Sequence, residues 1–253
     1  MATYVLVGGA WLGGWAWQDV SRRLRAEGHS VYPVTLTGLG ERVHLATPDT
    51  DLDTHVTDVV NVLDFEDLTE VVLVGHSYSG IVVEGAADRS PERIATVVYV
   101  DSAPMGDGSA HLDFYPPEAR AAVESVVTSY GDGWRLPFPG VDQLAQQASV
   151  AGLGPQARRL LEARAVAQPF GTYTQPLRIK HVDVSYRRRA IACSDGGFSV
   201  QQIRAALASD DPGMFGMYAG PGWEFDEIHT GHWPMLSEPQ QLTAVLDRYG
   251  REL

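Results

Sequence analysis

The chain has 253 residues, 44% hydrophobic and 20% charged, with a net charge of −13. That length suits one full-sized core, and the acidic balance makes nucleic acid or an anionic membrane a poor partner. With one cysteine, Cys193, no intrachain disulfide can form, and the chain shows no signal-like start and no apolar run of the ~18 residues a membrane span needs. The expectation is a soluble, cytoplasmic protein.

Tyr4 to Val7 reads as a buried strand, followed by a loop with four glycines, Gly8, Gly9, Gly13 and Gly14, around Ala10, Trp11 and Leu12. Such a loop aims backbone N–H groups closely at something. It is not a dinucleotide fingerprint, because the third glycine is out of register and no acidic residue ends the next strand. Trp15 to Ala26 has the pattern of an amphipathic helix ended by Gly28, Val31 to Leu36 that of a second strand, and Leu52 to Leu63 that of a second helix.

Residues 71–80 read Val-Val-Leu-Val-Gly-His-Ser-Tyr-Ser-Gly. Val71 to Val74 is a β-branched apolar run, the turn at Gly75–Gly80 is tight, and Ile81, Val82, Val83 and Ala86 open a helix. Strand, turn with a central serine, and helix make a nucleophile elbow, which lifts Ser77 off the sheet and points helix N–H groups at the same place. Ser79 stands where G-x-S-x-G has its last glycine, so slight crowding is expected there. Ile94 to Val100 then reads as a buried strand ending at Asp101.

The order so far alternates strand and helix, which predicts an α/β fold with a mostly parallel sheet and ligands at the carboxyl ends of the strands. Residues 105–185 break the alternation with Pro, Gly, Gln, Ala and three helical stretches. They read as a helical cap inserted into a core made of 1–104 and 186–253. Ser185 to Cys193, Val200 to Leu207, Trp223 to Ile228 and Met235 to Tyr249 restore strand, helix, strand and closing helix.

A serine nucleophile needs a base, and the base an orienting acid. His232, after Gly231 at the tip of the last strand's loop, is the preferred base over His229, which belongs to the strand end. Asp195, after the preceding strand, is the preferred acid, with Asp101 as its rival. His76 reads as structural. The oxyanion donors are expected to be the N–H groups of Tyr78 and Ala10, with Trp11 second to Ala10. Trp11, Trp134, Phe138, Phe170, Tyr173 and Trp233, with Tyr78, are candidates to line a pocket for a bulky apolar or aromatic substrate.

Residues 5–15, the elbow, Asp195 and the run Gly231-His-Trp-Pro-Met-Leu-Ser-Glu-Pro239 resemble the α/β-hydrolase superfamily. The likeness is closest to the branch of plant salicylate-type methylesterases, hydroxynitrile lyases and related bacterial esterase-like proteins. It implies an α/β-hydrolase fold and a Ser–His–Asp triad with no metal or organic cofactor. The reaction expected is hydrolysis of a carboxylic ester, thioester or lactone through an acyl-enzyme. A lyase or cyclase working on the same triad is the second reading. Cyanide chemistry in that branch uses a lysine beside the histidine, where this chain has Trp233. The partner expected is a small-molecule substrate, with no nucleic acid and no membrane, and a homodimer is left open.

Overall fold

The computed structural model describes residues 1–181 and 184–253. Eight strands occur among them: β1 (Thr3–Val7), β2 (Ser30–Val34), β3 (Val71–His76), β4 (Ile94–Val100), β5 (Arg135–Leu136), β6 (Gln168–Pro169), β7 (Arg187–Cys193) and β8 (Trp223–Ile228). Six of them form one sheet in the order β2-β1-β3-β4-β7-β8, with every neighbouring pair parallel. The elbow strand β3 is therefore central, and all six of its residues are buried.

Alternate residues of the central strands belong to different cores. Val5, Val7, Val71 and Leu73 pack on one side of the sheet, while Tyr4, Leu6, Val72 and Val74 pack on the other. A sheet covered on both faces needs apolar residues at every position, which is why these strands read as continuous runs. Fully burying each Val or Leu contributes about 1.5–3 kcal/mol. Pro33 is tolerated because β2 is an edge strand.

The helices are α1 (Gln18–Ala26), α2 (Leu52–Phe65), α3 (Ser79–Arg89), α4 (Pro117–Tyr130), α5 (Val141–Leu144), α6 (Pro155–Arg164), α7 (Gly171–Thr174), α8 (Val200–Leu207), α9 (Pro234–Ser237) and α10 (Pro239–Arg251). α2 starts with a capping box in which the Asp51 side chain accepts from Thr54 N–H. Two helices expected to be continuous are divided. A 3₁₀ turn over Gly14–Trp17 precedes α1, and Pro239 separates α9 from α10 because it lacks the N–H that a continuing helix needs.

The arginine-rich strand is explained by Arg189. Its side chain is buried, yet it pairs with Glu252 at 2.6 Å and Glu224 at 3.0 Å and lies 4.1 Å from the centre of the Tyr249 ring. Paired and stacked, a guanidinium is tolerated in the interior.

Between β4 and β7 the chain carries α4 to α7 and a two-stranded antiparallel ribbon, β5 with β6. The ribbon was not evident from sequence. Residues 182 and 183, near the end of the expected cap, lie outside the described residues. Among the described residues, no helix is long and apolar enough to cross a membrane.

Candidate active site

The elbow is held by close backbone packing. Ser77 has φ 52, a left-handed conformation that costs a non-glycine residue about 1–3 kcal/mol and persists only where the surroundings enforce it. A Cβ on Gly75 would stand 2.7 Å from Ser79 O, and one on Gly80 would stand 2.1 Å from Ser102 Oγ. Ser79 is not a source of crowding. Its buried hydroxyl accepts from His76 N–H at 2.8 Å and lies 2.8 Å from Val7 O, where it can donate. The residue in the usual glycine slot thus stitches the elbow to β1. On the other side, Ser102 Oγ–H donates to Ser77 O at 2.5 Å, and Tyr218 Oη–H donates to Ser102 O at 2.7 Å.

Around the serine, His232 Nε2 lies 2.8 Å from Ser77 Oγ and His232 Nδ1 lies 2.5 Å from Asp101 Oδ2. The carboxylate can only accept, so Nδ1 carries the proton and Nε2 presents its lone pair to the Ser77 hydroxyl. Asp101 Oδ1 accepts from Cys193 N–H at 3.2 Å, and the backbone at Asp101 is left-handed, with φ 42.

The preferred acid, Asp195, is not at this site. Its backbone N–H donates to Thr230 O at 3.0 Å, and its side chain is exposed. Asp101 ends β4, directly beside the elbow strand, and its carboxylate meets His232, whereas the loop after β7 leaves the Asp195 side chain in solvent. The rival named from sequence therefore stands where an orienting acid must stand. His229 is exposed, with Nδ1 2.9 Å from Ser194 Oγ, away from Ser77.

His76 has a structural place beside the site, as the sequence suggested. Its Nε2–H donates to the backbone carbonyl of His232 at 2.7 Å, and burial, then the charge on His232, push its pKa down to about 3. It stays neutral and fixes the loop that bears His232. From the opposite side, the cap holds the same loop. His232 N–H donates to Ser149 O at 2.8 Å, and Gly231 N–H donates to Ala151 O at 3.2 Å.

The glycine-rich loop after β1 is pinned by the ribbon. Trp11, at φ 65, donates its N–H to Gln168 Oε1 at 3.1 Å and its indole N–H to Leu136 O at 3.1 Å, and its carbonyl accepts from Val166 N–H at 3.1 Å. Trp11 N–H is thus occupied. Among the described residues, the N–H groups of Ala10 and Tyr78 have no acceptor. Two free donors beside the nucleophile are what an oxyanion requires.

A cavity of about 470 Å³ opens on Ser77, His232 and Asp101. Trp11, Tyr173 and Trp233 line it, but Trp134, Phe138 and Phe170 do not. Trp134 lies under the Arg135 guanidinium, Phe138 packs edge-on against Trp11, and Phe170 packs against Tyr173. The Tyr78 ring is not in the lining either. Its hydroxyl lies 2.9 Å from His55 Nδ1, and its ring stacks on Tyr173. The walls that sequence reasoning missed come from His111, Phe114 and Tyr115 in the cap, and from Phe198, Met214, Phe215, Met217 and Tyr218 between β7 and β8. The signal for the second group was the apolar run Met214-Phe-Gly-Met-Tyr218, which sits between two predicted elements.

Comparison with known proteins places the chain in a family. A carbendazim hydrolyzing esterase from Nocardioides sp. (strain SG-4G) is 32% identical, over 99% of this chain and 100% of its own. A putative chloroplastic methylesterase 15 of Arabidopsis thaliana is 25% identical over 96% of this chain, which spans only 55% of that protein's length. An extracellular alpha/beta-hydrolase from a Paenibacillus species superposes with a TM-score of 0.78 at 21% identity, covering 99% of this chain and 100% of that one. The model of the alpha/beta hydrolase family matches residues 4–245, and the chain belongs to that family.

Proposed function

We propose that this protein is a cofactor-independent serine hydrolase that cleaves carboxylic esters of bulky apolar or aromatic small molecules. The observation that carries the reading is the chain Asp101–His232–Ser77, at 2.5 and 2.8 Å, opening on an aromatic-lined cavity beside two unpaired N–H groups. Relatives named as esterase and methylesterase support the same reaction class.

In this reading Ser77 Oγ attacks the ester carbonyl as its proton passes to His232 Nε2. Asp101 keeps Nδ1 protonated and stabilises the imidazolium. The carbonyl oxygen takes up negative charge against the N–H groups of Ala10 and Tyr78. Collapse breaks the ester C–O bond, and His232 returns the proton to the departing alcohol. Water then attacks the acyl-enzyme, losing a proton to His232. The acid is released, and Ser77 regains its hydrogen.

A lyase or cyclase on the same residues is not favoured. Trp233, packed edge-on against the His232 ring, offers no ammonium to a leaving anion. The single cysteine, buried Cys193, supports a cytoplasmic setting.

Hydrolysis of p-nitrophenyl acetate and p-nitrophenyl benzoate, with Ser77→Ala as control and a fluorophosphonate as label, tests the proposal. Turnover lost in Ser77→Ala, with labelling confined to Ser77, is the expected result. Full activity in the variant, or labelling elsewhere, overturns it.

A further inference from the structure

The cavity has a second polar feature besides the triad. No lysine, arginine or glutamate lines it, and its one carboxylate, Asp101, is committed to His232. Most of the remaining wall is apolar or aromatic. Into it projects His111, the first residue of a 3₁₀ turn over His111–Phe114 in the cap.

His111 is held by rings and by nothing polar. It meets Tyr173 edge-on at 4.5 Å between centroids and Tyr78 at 5.2 Å, and these two tyrosines are themselves stacked 5.4 Å apart. Among the described residues, neither of its ring nitrogens has a hydrogen-bond partner. His55 and His76, fully buried near the site, are tied down more firmly: His55 spends both nitrogens, on Tyr78 Oη and Thr37 O, and His76 spends Nε2 on His232 O while its Nδ1 has no partner. Burial, then the charge on His232, push the pKa of His111 down to about 4. Near neutral pH it therefore offers one N–H donor and one lone pair to the cavity. Leaving such groups dry and unpaired is costly, so a ligand that pairs them gains against one that does not.

We infer that His111 is a specificity-determining residue that hydrogen-bonds a polar substituent on an uncharged aromatic ester whose scissile carbonyl lies at Ser77. The inference rests on the ester-hydrolase reading of the same cavity. It adds the substrate class: a neutral ring bearing a hydroxyl or amine away from the ester. A carboxylate on that ring would meet no counter-ion and would have to be desolvated without compensation.

The test separates this from the hydrolase reading by measuring binding without turnover. Titration calorimetry would compare Ser77→Ala with Ser77→Ala/His111→Phe and Ser77→Ala/His111→Asn. The ligands are methyl benzoate, methyl 3-hydroxybenzoate, methyl 4-hydroxybenzoate and the monomethyl ester of terephthalic acid. With His111 present, at least one phenolic ester is expected to bind about tenfold more tightly than methyl benzoate, and the terephthalate monoester more weakly than it. His111→Phe should erase the phenolic gain, and His111→Asn should restore part of it. An equal gain in all three proteins overturns the assignment. So does failure of the His111 protein to prefer any phenolic ester. Turnover of p-nitrophenyl acetate and labelling of Ser77 report on the hydrolase reading separately.

Discussion

The backbone carbonyl of Ser149, in the cap, accepts a hydrogen bond at 2.8 Å from the backbone N–H of His232. His232, the proposed base, is therefore seated partly on the segment between β4 and β7. The fit is tight. A Cβ on Gly231 would stand 2.4 Å from Ser149 O, and a Cβ on Gly152 would stand 2.8 Å from Thr230 Oγ1. Three further interactions hold His232: Asp101 at Nδ1, Ser77 at Nε2 and His76 at the carbonyl.

Gly231→Ala should accordingly damage catalysis more than stability. The added methyl group must push the loop at residues 149–151 and the His232 loop apart. A displacement of about 1 Å at a catalytic group costs on the order of 10² in rate. Measuring kcat/KM on p-nitrophenyl acetate beside a thermal melt checks it. Unchanged kcat/KM would mean that the Ser149 contact does not position His232.

Asp101→Asn should be crippling and Asp195→Asn mild. An amide at position 101 cannot hold the Nδ1–H tautomer of His232, an effect of about 10⁴ in kcat in the serine-protease case. Asp195 is exposed and away from the site, so its loss should change kcat/KM by less than about threefold. The reverse ranking on one ester would mean that the acid comes from the loop after β7.

Substrate size should be sensed by the segment between β7 and β8 and not by the ribbon. Phe215 lines the cavity, whereas Trp134 does not. Phe215→Ala should raise KM for p-nitrophenyl benzoate by about tenfold, corresponding to about 1–2 kcal/mol of lost apolar contact, with little effect on p-nitrophenyl acetate. Trp134→Ala should affect both esters alike. Selectivity lost in Trp134→Ala but kept in Phe215→Ala would reverse the assignment of the pocket wall.

Glu84, on the elbow helix, accepts from Met105 N–H at 2.6 Å where the chain enters the cap, and burial pushes its pKa up to about 7 from an ordinary 4.5. Between those two values the folded chain holds a proton that the unfolded chain has released. Its stability must therefore fall as pH rises through that window, and Glu84 costs about 3 kcal/mol once the pH exceeds 7. Glu84→Gln should be relatively more stable than the parent at pH 8 than at pH 5. Urea midpoints at the two pH values measure this, and parallel pH dependences would show that Glu84 ionises normally.

The elbow could be read from sequence because its strand, turn and helix start lie within about ten residues, although Val7 and Ser102 help to hold it. A buried apolar strand, a tight turn and a helix start are local features, and local periodicity reports them. The loop after β1 was equally legible, since its glycines fall in two pairs that bracket Ala10. His232 could be preferred over His229 from its place beyond Gly231, at the loop tip.

The acid, the pocket wall and the histidine of the cap could not be read in the same way. Asp101 and Asp195 both end strands, and no property of either stretch tells which carboxylate meets His232. That depends on how the loops after β4, β7 and β8 converge, which brings Asp101 to His232 and leaves Asp195 in solvent, a contact between residues far apart in the chain. Trp134 and Phe138 are as aromatic as Phe215, yet Trp134 lies against Arg135 and Phe138 against Trp11, while a 3₁₀ turn brings Phe215 to the cavity. Composition and spacing thus pointed to the chemistry of the chain and to Ser77 as its proposed nucleophile. Which side chains surround Ser77 was decided by how the loops after the strands converge and how the segment between β4 and β7 packs on them, because burial and hydrogen bonding between distant segments have no counterpart in local sequence.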